Sequence, residues 1–336
     1  MSAPRRRRLV ALEEFGGPEV MRWVEADAPA PGPDEVAVEV EAIGVNFGDT
    51  MVRRGEYRRE QPLDFTPGFE AAGRVIDDPS DELEPGQRVI VFNDNGRGYA
   101  DLLVVPRRRV FPVPDDIDPN VLAAIFIQGT TAWYSLHRFG YVAPGEWVLI
   151  HAGAGGVGGA AIQLAVAAGA RPIATASTEE KLEIARGHGA EHAILADPET
   201  LAAQVRELTD GHGADVVVDG VNGPLVAPSM KAMAFHGRYV VAGAASQTAG
   251  PIDTRALMPR NQSIAGFVTA RIIDRDPAEP RRAIDAVLAA WRAGDLRPEL
   301  TVLGPGEIVR AHEMLEDRAH TGKIVIDLVA DRPEVK

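Results

Sequence analysis

The most restrictive stretch of this 336-residue chain is Gly153-Ala154-Gly155-Gly156-Val157-Gly158, which satisfies the spacing G-x-G-x-x-G. The spacing alone is weak evidence. Here it follows an apolar run, Trp147 to Ala152, and precedes an apolar segment of helical character that begins near Val157. A strand, a tight turn and a helix in that order let small residues bring backbone N–H groups up to a diphosphate, and the helix N-terminus adds partial positive charge. The context predicts a dinucleotide site built on these six residues. The plain alternative is a tight strand-to-helix turn with no ligand.

Around that turn the chain alternates. Trp147 to His151, Pro172 to Ala176, His192 to Leu195, Asp215 to Asp219 and Arg238 to Ala242 are apolar runs separated by amphipathic stretches of helix length. The pattern predicts an α/β, doubly wound parallel sheet. Ser177-Thr178-Glu179-Glu180 has capping-box spacing before a helix carrying Leu182 and Ala185, and Gly189 closes that helix.

Upstream, through about residue 125, short strands broken by Pro and Gly turns predict an antiparallel, barrel-like domain; Glu35 to Ile43 alternates, and Gly73 to Ile76 and Arg88 to Phe92 are apolar. After Ser263 to Val268 come an expected helix over Pro280 to Ala293, another around Glu307 to Arg318, and a last strand Lys323 to Val329. The expected organisation is a barrel domain over 1–125, a dinucleotide domain over 126–266, and a return over 267–336 that completes the first.

With 45% hydrophobic and 25% charged residues, the chain has enough apolar side chain for one or two sizeable cores, and two domains are expected. Its net charge of -14 argues against a nucleic-acid surface, which needs clustered cations to release counterions. Arg5 to Arg8 is the local exception, read as a solvated arm leading into a first strand. No run of about 18 apolar residues occurs, and no secretory apolar stretch follows the arginines, so a soluble, cytoplasmic protein without membrane attachment is expected. The absence of cysteine excludes a disulfide framework and any thiolate-ligated metal, and the eight histidines lack paired metal-ligand spacing, so no metal is expected.

Choice between the nicotinamide cofactors is read about 20 residues beyond the glycine turn, where an acid would hold the ribose 2'-hydroxyl. The second strand ends instead in Ala174-Thr175-Ala176-Ser177-Thr178, with Lys181 one helical turn on. Hydroxyl donors at Ser177 and Thr178, a helix N-terminus and the Lys181 cation suit a 2'-phosphate, which predicts NADPH. The alternative is that Ser177 only caps the helix and Lys181 is only solvated.

Several separated stretches together resemble the medium-chain dehydrogenases/reductases, and within them the zinc-independent quinone oxidoreductases. They are Glu14 to Val20, Gly44-Val45-Asn46-Phe47-Gly48-Asp49-Thr50, Pro67-Gly68-Phe69-Glu70, Gly129 to Tyr134, Ala152 to Gly158 and Gly322 to Ile326. The resemblance implies a GroES-like β-barrel catalytic domain plus a Rossmann domain, and a homodimer, with the strand near 263 to 270 extending the sheet across a two-fold axis. Zinc alcohol dehydrogenases of this superfamily place Cys where this chain has Asn46 and His where it has Phe69, and add a four-Cys loop that is absent here.

Position by position, the resemblance puts Asn46 and Asp49 near the nicotinamide and Thr131 and Tyr134 on the cofactor side. It puts Asn222, Ala242, Gly243, Phe267 and Val268 where the family closes over the dinucleotide, and Lys323 near the substrate. The alternative for each is structural: Asn46 or Asp49 bonding a turn, Phe267 in the core, Lys323 in an ion pair. This chain departs from many quinone reductases in having Met51 where they have a tyrosine, which makes that wall more apolar, and Ala196 where some relatives have a tyrosine near the 2'-phosphate.

The expected reaction is hydride transfer from NADPH to a quinone or other conjugated carbonyl, with an Asn46 amide, backbone N–H or water facing the developing oxyanion, and Tyr57 or solvent supplying the proton. Met51, Phe92 and Tyr99 are expected to make the acceptor pocket apolar. An enoyl reductase is the alternative, favoured if Arg53, Arg54, Arg58 and Arg59 meet a carrier phosphate; a non-catalytic NADPH-binding protein is a third reading.

Overall fold

In the computed structural model, which describes residues 5–318 and 320–330, the chain starts as a hairpin in which β1 (Arg6–Leu12) runs antiparallel to β2 (Met21–Asp27). The basic run is therefore already strand at Arg6, where Glu25 and Asp27 accept from its guanidinium at 3.1 and 3.0 Å. Next come β3 (Glu35–Val45), α1 (Phe47–Arg53), β4 (Glu70–Asp77), β5 (Arg88–Phe92), β6 (Leu102–Pro106), β7 (Val110–Pro112) and α2 (Pro119–Trp133). The sequence reading carried strands through about residue 125 and missed the start of α2 at Pro119. The helix continues as a π-helical segment, Tyr134–Phe139, which local periodicity does not reveal.

The alternating region holds β8 (Trp147–Ile150), α3 (Gly156–Ala167), β9 (Arg171–Ala176), α4 (Glu179–Gly187), β10 (His192–Leu195), α5 (Leu201–Leu208), β11 (Ala214–Asp219), α6 (Val226–Ala232), β12 (Met233–Val241) and β13 (Ser263–Gly266). These strands form one parallel sheet in the order β10-β9-β8-β11-β12-β13, the doubly wound arrangement. Both faces are covered, so Leu149, Ile173 and Val217 are wholly buried and the strands read as unbroken apolar runs. Each such side chain contributes roughly 1.5–3 kcal/mol relative to exposure. The strand order reverses between β8 and β11, and in such sheets ligands sit beyond the carboxyl ends at that point.

After β13 come α7 (Thr269–Arg275), which the sequence reading did not foresee, α8 (Glu279–Ala293), β14 (Leu300–Leu303), α9 (Ile308–Glu316) and β15 (Lys323–Asp327). The sheet order β14-β15-β3-β4-β5-β7, with β6 paired to β3, shows that the last strands complete the barrel sheet begun by the first. Its core gathers Val10, Val38, Val40, Val91, Ile324 and Ile326.

By packing, one unit contains the described residues through Ile127 and again from Leu300, and the other is Gln128–Glu299. The expected return at 267 therefore begins 33 residues late, at Leu300 (300 − 267 = 33). The reason lies on α8, which buries Ala283, Ile284, Val287 and Leu288 on one face. Val287 lies so close to Gly129 that a Cβ there would be 2.8 Å from it, and Arg138 pairs with Glu279 at 3.1 Å. These contacts hold α8 within the parallel-sheet unit. The ends of the expected 1–125 and 267–336 segments lie outside the described residues.

Candidate functional site

In the parallel-sheet unit, β8 runs into His151 and then Ala152, whose φ of 54° turns the chain into the left-handed region. Gly153 N–H donates to the Thr175 carbonyl at 2.9 Å, and Gly155 N–H donates to the Ala152 carbonyl at 2.9 Å. Helix α3 starts with no side chain capping it at Gly155, so its first N–H groups have no side-chain acceptor there.

The glycines have different reasons. A Cβ on Gly158 would lie 2.2 Å from the Ala152 oxygen, and one on Gly156 would overlap the Gln128 side chain at 2.0 Å. Gly153 faces Ala174 at 2.9 Å, whereas a Cβ on Gly155 meets only the Ala152 oxygen, at 3.3 Å. Gly158 thus serves the tight turn, Gly153 and Gly156 allow close packing against β9 and Gln128, and Gly155 stands at an uncapped helix N-terminus. Ala154 is buried and Val157 half-buried. The cradle fits a dinucleotide diphosphate.

At the end of β9, Ser177 and Thr178 are exposed and Lys181 is half-buried. The cap of α4 is Thr178, whose Oγ1 accepts from Lys181 N–H at 3.4 Å. This corrects the expected box from Ser177 to Glu180 by one residue, because the strand extends through Ala176 and leaves Ser177 outside the helix. Glu179 is held by Arg186 at 2.9 Å, and hydrogen bonds from its own backbone and from Thr178 keep the Glu180 carboxyl below its usual range.

Beyond β11, Asn222 has φ 66° and ψ −158°, a conformation essentially reserved for glycine that costs of order 1–3 kcal/mol. Its Oδ1 accepts from Gly223 N–H at 2.8 Å and Gly250 N–H at 3.0 Å. Buried Asp219 fixes this turn by accepting from Val221 and Asn222 N–H, both at 2.8 Å, while the Tyr239 phenol holds its other oxygen. Gly243 follows Ala242 past the end of β12, where a Cβ would lie 3.0 Å from the Gly220 oxygen. Phe267 stacks on Phe139 at 5.0 Å, Val268 is exposed, and Thr131 is buried with its carbonyl accepting from Ser135 Oγ. Tyr134 was expected on the cofactor side; it is fully buried among Trp133, Phe139 and Phe267, which corrects a contacting role to a packing one.

The barrel unit brings three of the four candidate catalytic residues together with one that the sequence reading gave no role. Asn46 precedes α1, and its N–H donates to Asp49 Oδ2 at 2.8 Å, while Gly68 N–H donates to Asp49 Oδ1 at 2.7 Å. Asn46 Nδ2 donates to Glu70 Oε1 at 2.9 Å and to the Gly44 carbonyl at 3.3 Å. Lys323 Nζ donates to Asn46 Oδ1 at 2.7 Å and to Glu70 Oε1, and Ile127 N–H donates to Glu70 Oε2 at 2.8 Å. The Glu70 and Lys323 side chains are both 0% exposed.

Two expectations change here. Both Asn46 amide hydrogens are committed inside the unit, so in this arrangement they do not face an oxyanion. For Asp49, the turn-bonding alternative is the one observed. Glu70 was legible in principle: an acid opens β4 just before the apolar Ala71-Ala72, and a lone cation opens the apolar strand β15.

Burial pushes the Asp49 carboxyl up to about 7, against the Asn46 and Gly68 N–H donors and the Lys323 charge. A raised carboxyl favours the folded state below the ordinary 3.8, and that contribution falls as pH climbs through about 7. Carboxyl-carbon NMR titration is expected to give Asp49 a midpoint near neutrality; a midpoint at 3.8 overturns this reading.

Tyr57 is exposed, with its ring 4.9 Å from Phe69; partial burial and the Asp49 charge raise its phenol, which stays protonated at neutral pH. Met51 is half-buried. Phe92 is buried edge-on to Phe126 beneath the Arg109 guanidinium. Tyr99 does not line a pocket. It is 0% exposed in the barrel core with its phenol 3.0 Å from His312 Nε2, so the apolar body is packed and the polar tip is satisfied.

Residues 32–115 match the family model described as alcohol dehydrogenase GroES-like domain, and residues 156–288 match the one described as zinc-binding dehydrogenase. A quinone oxidoreductase of Pseudomonas aeruginosa is 35% identical over 94% of this chain and 98% of its own length. A 2-haloacrylate reductase of a Burkholderia species is 37% identical over 94% of this chain and 97% of its own. A mycobacterial protein solved in complex with NADPH superposes with a TM-score of 0.88 at 33% identity, covering 96% of this chain and 100% of that one.

The metal in the second description has no donor set here. The chain lacks cysteine, Asn46 is tied to Glu70 and Lys323, Phe69 packs on Tyr57, and among the described residues no three His, Asp or Glu side chains converge. Full-length similarity, the barrel unit and the parallel-sheet unit with its glycine turn agree: the chain is an oxidoreductase and belongs to the medium-chain dehydrogenases/reductases, in their zinc-independent, quinone oxidoreductase-like group.

Proposed function

We propose that this chain is an NADPH-dependent reductase of quinones or other conjugated carbonyl compounds. The observation that carries the reading is the N-terminus of α3, which no side chain caps at Gly155 and which follows directly on the glycine turn. N–H groups of the Gly153–Gly158 turn bind the diphosphate, and Ser177, Thr178 and Lys181 bind the 2'-phosphate, with Glu179 and Glu180 engaged elsewhere. Asn222, Ala242, Gly243, Phe267 and Val268 line the rest of the dinucleotide. When bound, NADPH supplies a hydride from C4 of its nicotinamide to the electron-poor acceptor.

In the barrel unit, Met51 contributes an apolar wall and Tyr57 holds a proton at its phenol oxygen for the reduced product. Lys323 and Glu70 act as the buried brace that fixes Asn46. The acceptor oxygen is met by a backbone N–H or a water, since the Asn46 amide is already bonded.

The acceptor class of the named relatives, a quinone reductase and a haloacrylate reductase, supports an electron-poor conjugated acceptor. A carrier-bound thioester has less support. Arg53 and Arg54 both pair with Glu316, Arg58 donates to the Asp94 carbonyl, and Arg59, with its side chain 95% exposed, lies 3.9 Å from Glu60. NADPH oxidation with a panel of ortho-quinones, para-quinones, enones and enoyl thioesters, repeated with NADH, is expected to rank quinones and small enones first. Preference for thioesters favours the enoyl reductase reading, and no turnover with any acceptor favours the non-catalytic one. Lys181→Ala is expected to raise the NADPH KM about tenfold, the loss of one charge-assisted bond, and to leave that for NADH unchanged. An unchanged NADPH KM rejects the assignment.

No helix among the described residues is long and apolar enough to cross a membrane. A cytoplasmic homodimer is proposed. Among the described residues β13 ends the sheet beside β12, and its other edge is available to a second copy. Sedimentation is expected to show twice the chain mass of 35.9 kDa, and monomers alone at micromolar concentration refute it.

A further inference from the structure

We infer that His151 is a positioning residue that fixes the glycine turn against the end of β9 and thereby favours the phosphorylated dinucleotide; the inference rests on the NADPH reading. His151 lies between β8 and Ala152, is 2% exposed, and has both ring nitrogens bonded. Its Nε2 is 2.8 Å from Ser229 Oγ and its Nδ1 is 2.9 Å from Thr175 Oγ1.

The directions of these bonds follow from counting protons. Ser229 has one hydroxyl hydrogen, and it donates that to the Leu225 carbonyl at 2.6 Å. Ser229 Oγ must then accept from His151, which places a proton on Nε2. Burial lowers the imidazole pKa despite the Asp219 charge, so the ring is neutral and Nδ1 is an acceptor. The Thr175 hydroxyl therefore donates to Nδ1. The chain of donors runs from Thr175 through His151 and Ser229 to the Leu225 carbonyl.

Thr175 is bound to the turn twice, through this hydroxyl and through its carbonyl, which accepts from Gly153 N–H at 2.9 Å. It stands two residues before Ser177 and three before Thr178. A nucleotide with a 2'-phosphate must engage the turn and the β9 end together, whereas one without it leans on the turn. The spacing that His151 and Thr175 set accordingly bears more on NADPH than on NADH, because a small misplacement of a bound group costs much of its interaction.

The experiment titrates wild type, Thr175→Val and Thr175→Ser with NADPH and NADH by calorimetry, alongside nitrogen-15 spectra of the imidazoles. Wild type is expected to show His151 as the Nε2–H tautomer, with Nδ1 at the shift of a bonded acceptor. Thr175→Val is expected to move Nδ1 toward a free acceptor and to weaken NADPH binding about tenfold, with NADH weakened less than about twofold. Thr175→Ser restores both readouts. Ser229→Ala, which removes the acceptor of Nε2–H, is expected to act in the same direction and stands in if Thr175→Val does not fold. Equal weakening of both nucleotides, no rescue by serine, or a proton on Nδ1 overturns the inference. Failure of wild type to bind NADPH overturns the cofactor reading and this role with it; normal wild-type binding with an unchanged Thr175→Val overturns the role alone.

Discussion

Gly158→Ala is expected to abolish NADPH binding, raising its Kd by at least about a hundredfold, because the added Cβ meets backbone rather than side chain. It would stand 2.2 Å from the Ala152 oxygen and 2.7 Å from the Ala152 carbonyl carbon, in a segment also held by the Gly155 N–H bond to that oxygen. Neither atom can rotate away, so the turn must shift. Overpacking of this kind costs roughly 1–3 kcal/mol of stability, and the displaced N–H groups no longer converge on a diphosphate. Gly155→Ala is the control. Its Cβ has no clash shorter than 3.3 Å, so the melting temperature is expected to stay close to wild type, and any loss of binding reports how near the ligand comes. Titration calorimetry beside thermal unfolding separates the two, and a Gly158→Ala variant with wild-type affinity contradicts the reading of the turn.

Glu70→Ala is expected to destabilise the barrel unit by about 3–5 kcal/mol, the usual cost of stripping the partner from a buried ion pair. Among the described residues the Lys323 ammonium would keep the Asn46 oxygen, at 2.7 Å, as its acceptor, in a place where its side chain is 0% exposed. Ile127 N–H and one Asn46 amide hydrogen would lose their acceptors too. A double replacement, Glu70→Met with Lys323→Met, removes both charges and fills similar volume, so it is expected to recover most of the loss. Denaturant unfolding should be fitted with separate transitions for the two units, since two-state behaviour is not assured for such a chain. A cost below about 1 kcal/mol for the single variant contradicts the description of the brace.

Much of the parallel-sheet unit was legible because its signals are local. His192 to Leu195 and the barrel strand Arg88 to Phe92 have the expected bounds, with Glu191 ahead of the first and Asn93 behind the second. The glycine turn was legible for the same reason, with strand, turn and helix in adjacent sequence. What escaped depends on tertiary partners. The Lys323–Glu70 contact joins positions 253 apart, and nothing near either residue announces the other. Tyr99 looks like a pocket aromatic until His312 is found beside its phenol, and Tyr134 looks like a cofactor contact until Phe139 and Phe267 close around it. Helix α7 is short and follows a strand without a strong stop. The late return at Leu300 depends on how α8 docks, which its own amphipathic pattern does not say.

The barrel sheet places β15 beside β3, so a strand made long after β3 completes the layer that β3 belongs to. During ribosomal synthesis the contiguous stretch 128–299 can mature on its own, while the earlier-made half must wait for its closing piece. Until Lys323 emerges, the carboxylate it neutralises has no countercharge. Nascent chains arrested before that point should accordingly hold the cofactor-type unit folded and leave the other a target for chaperones and proteases.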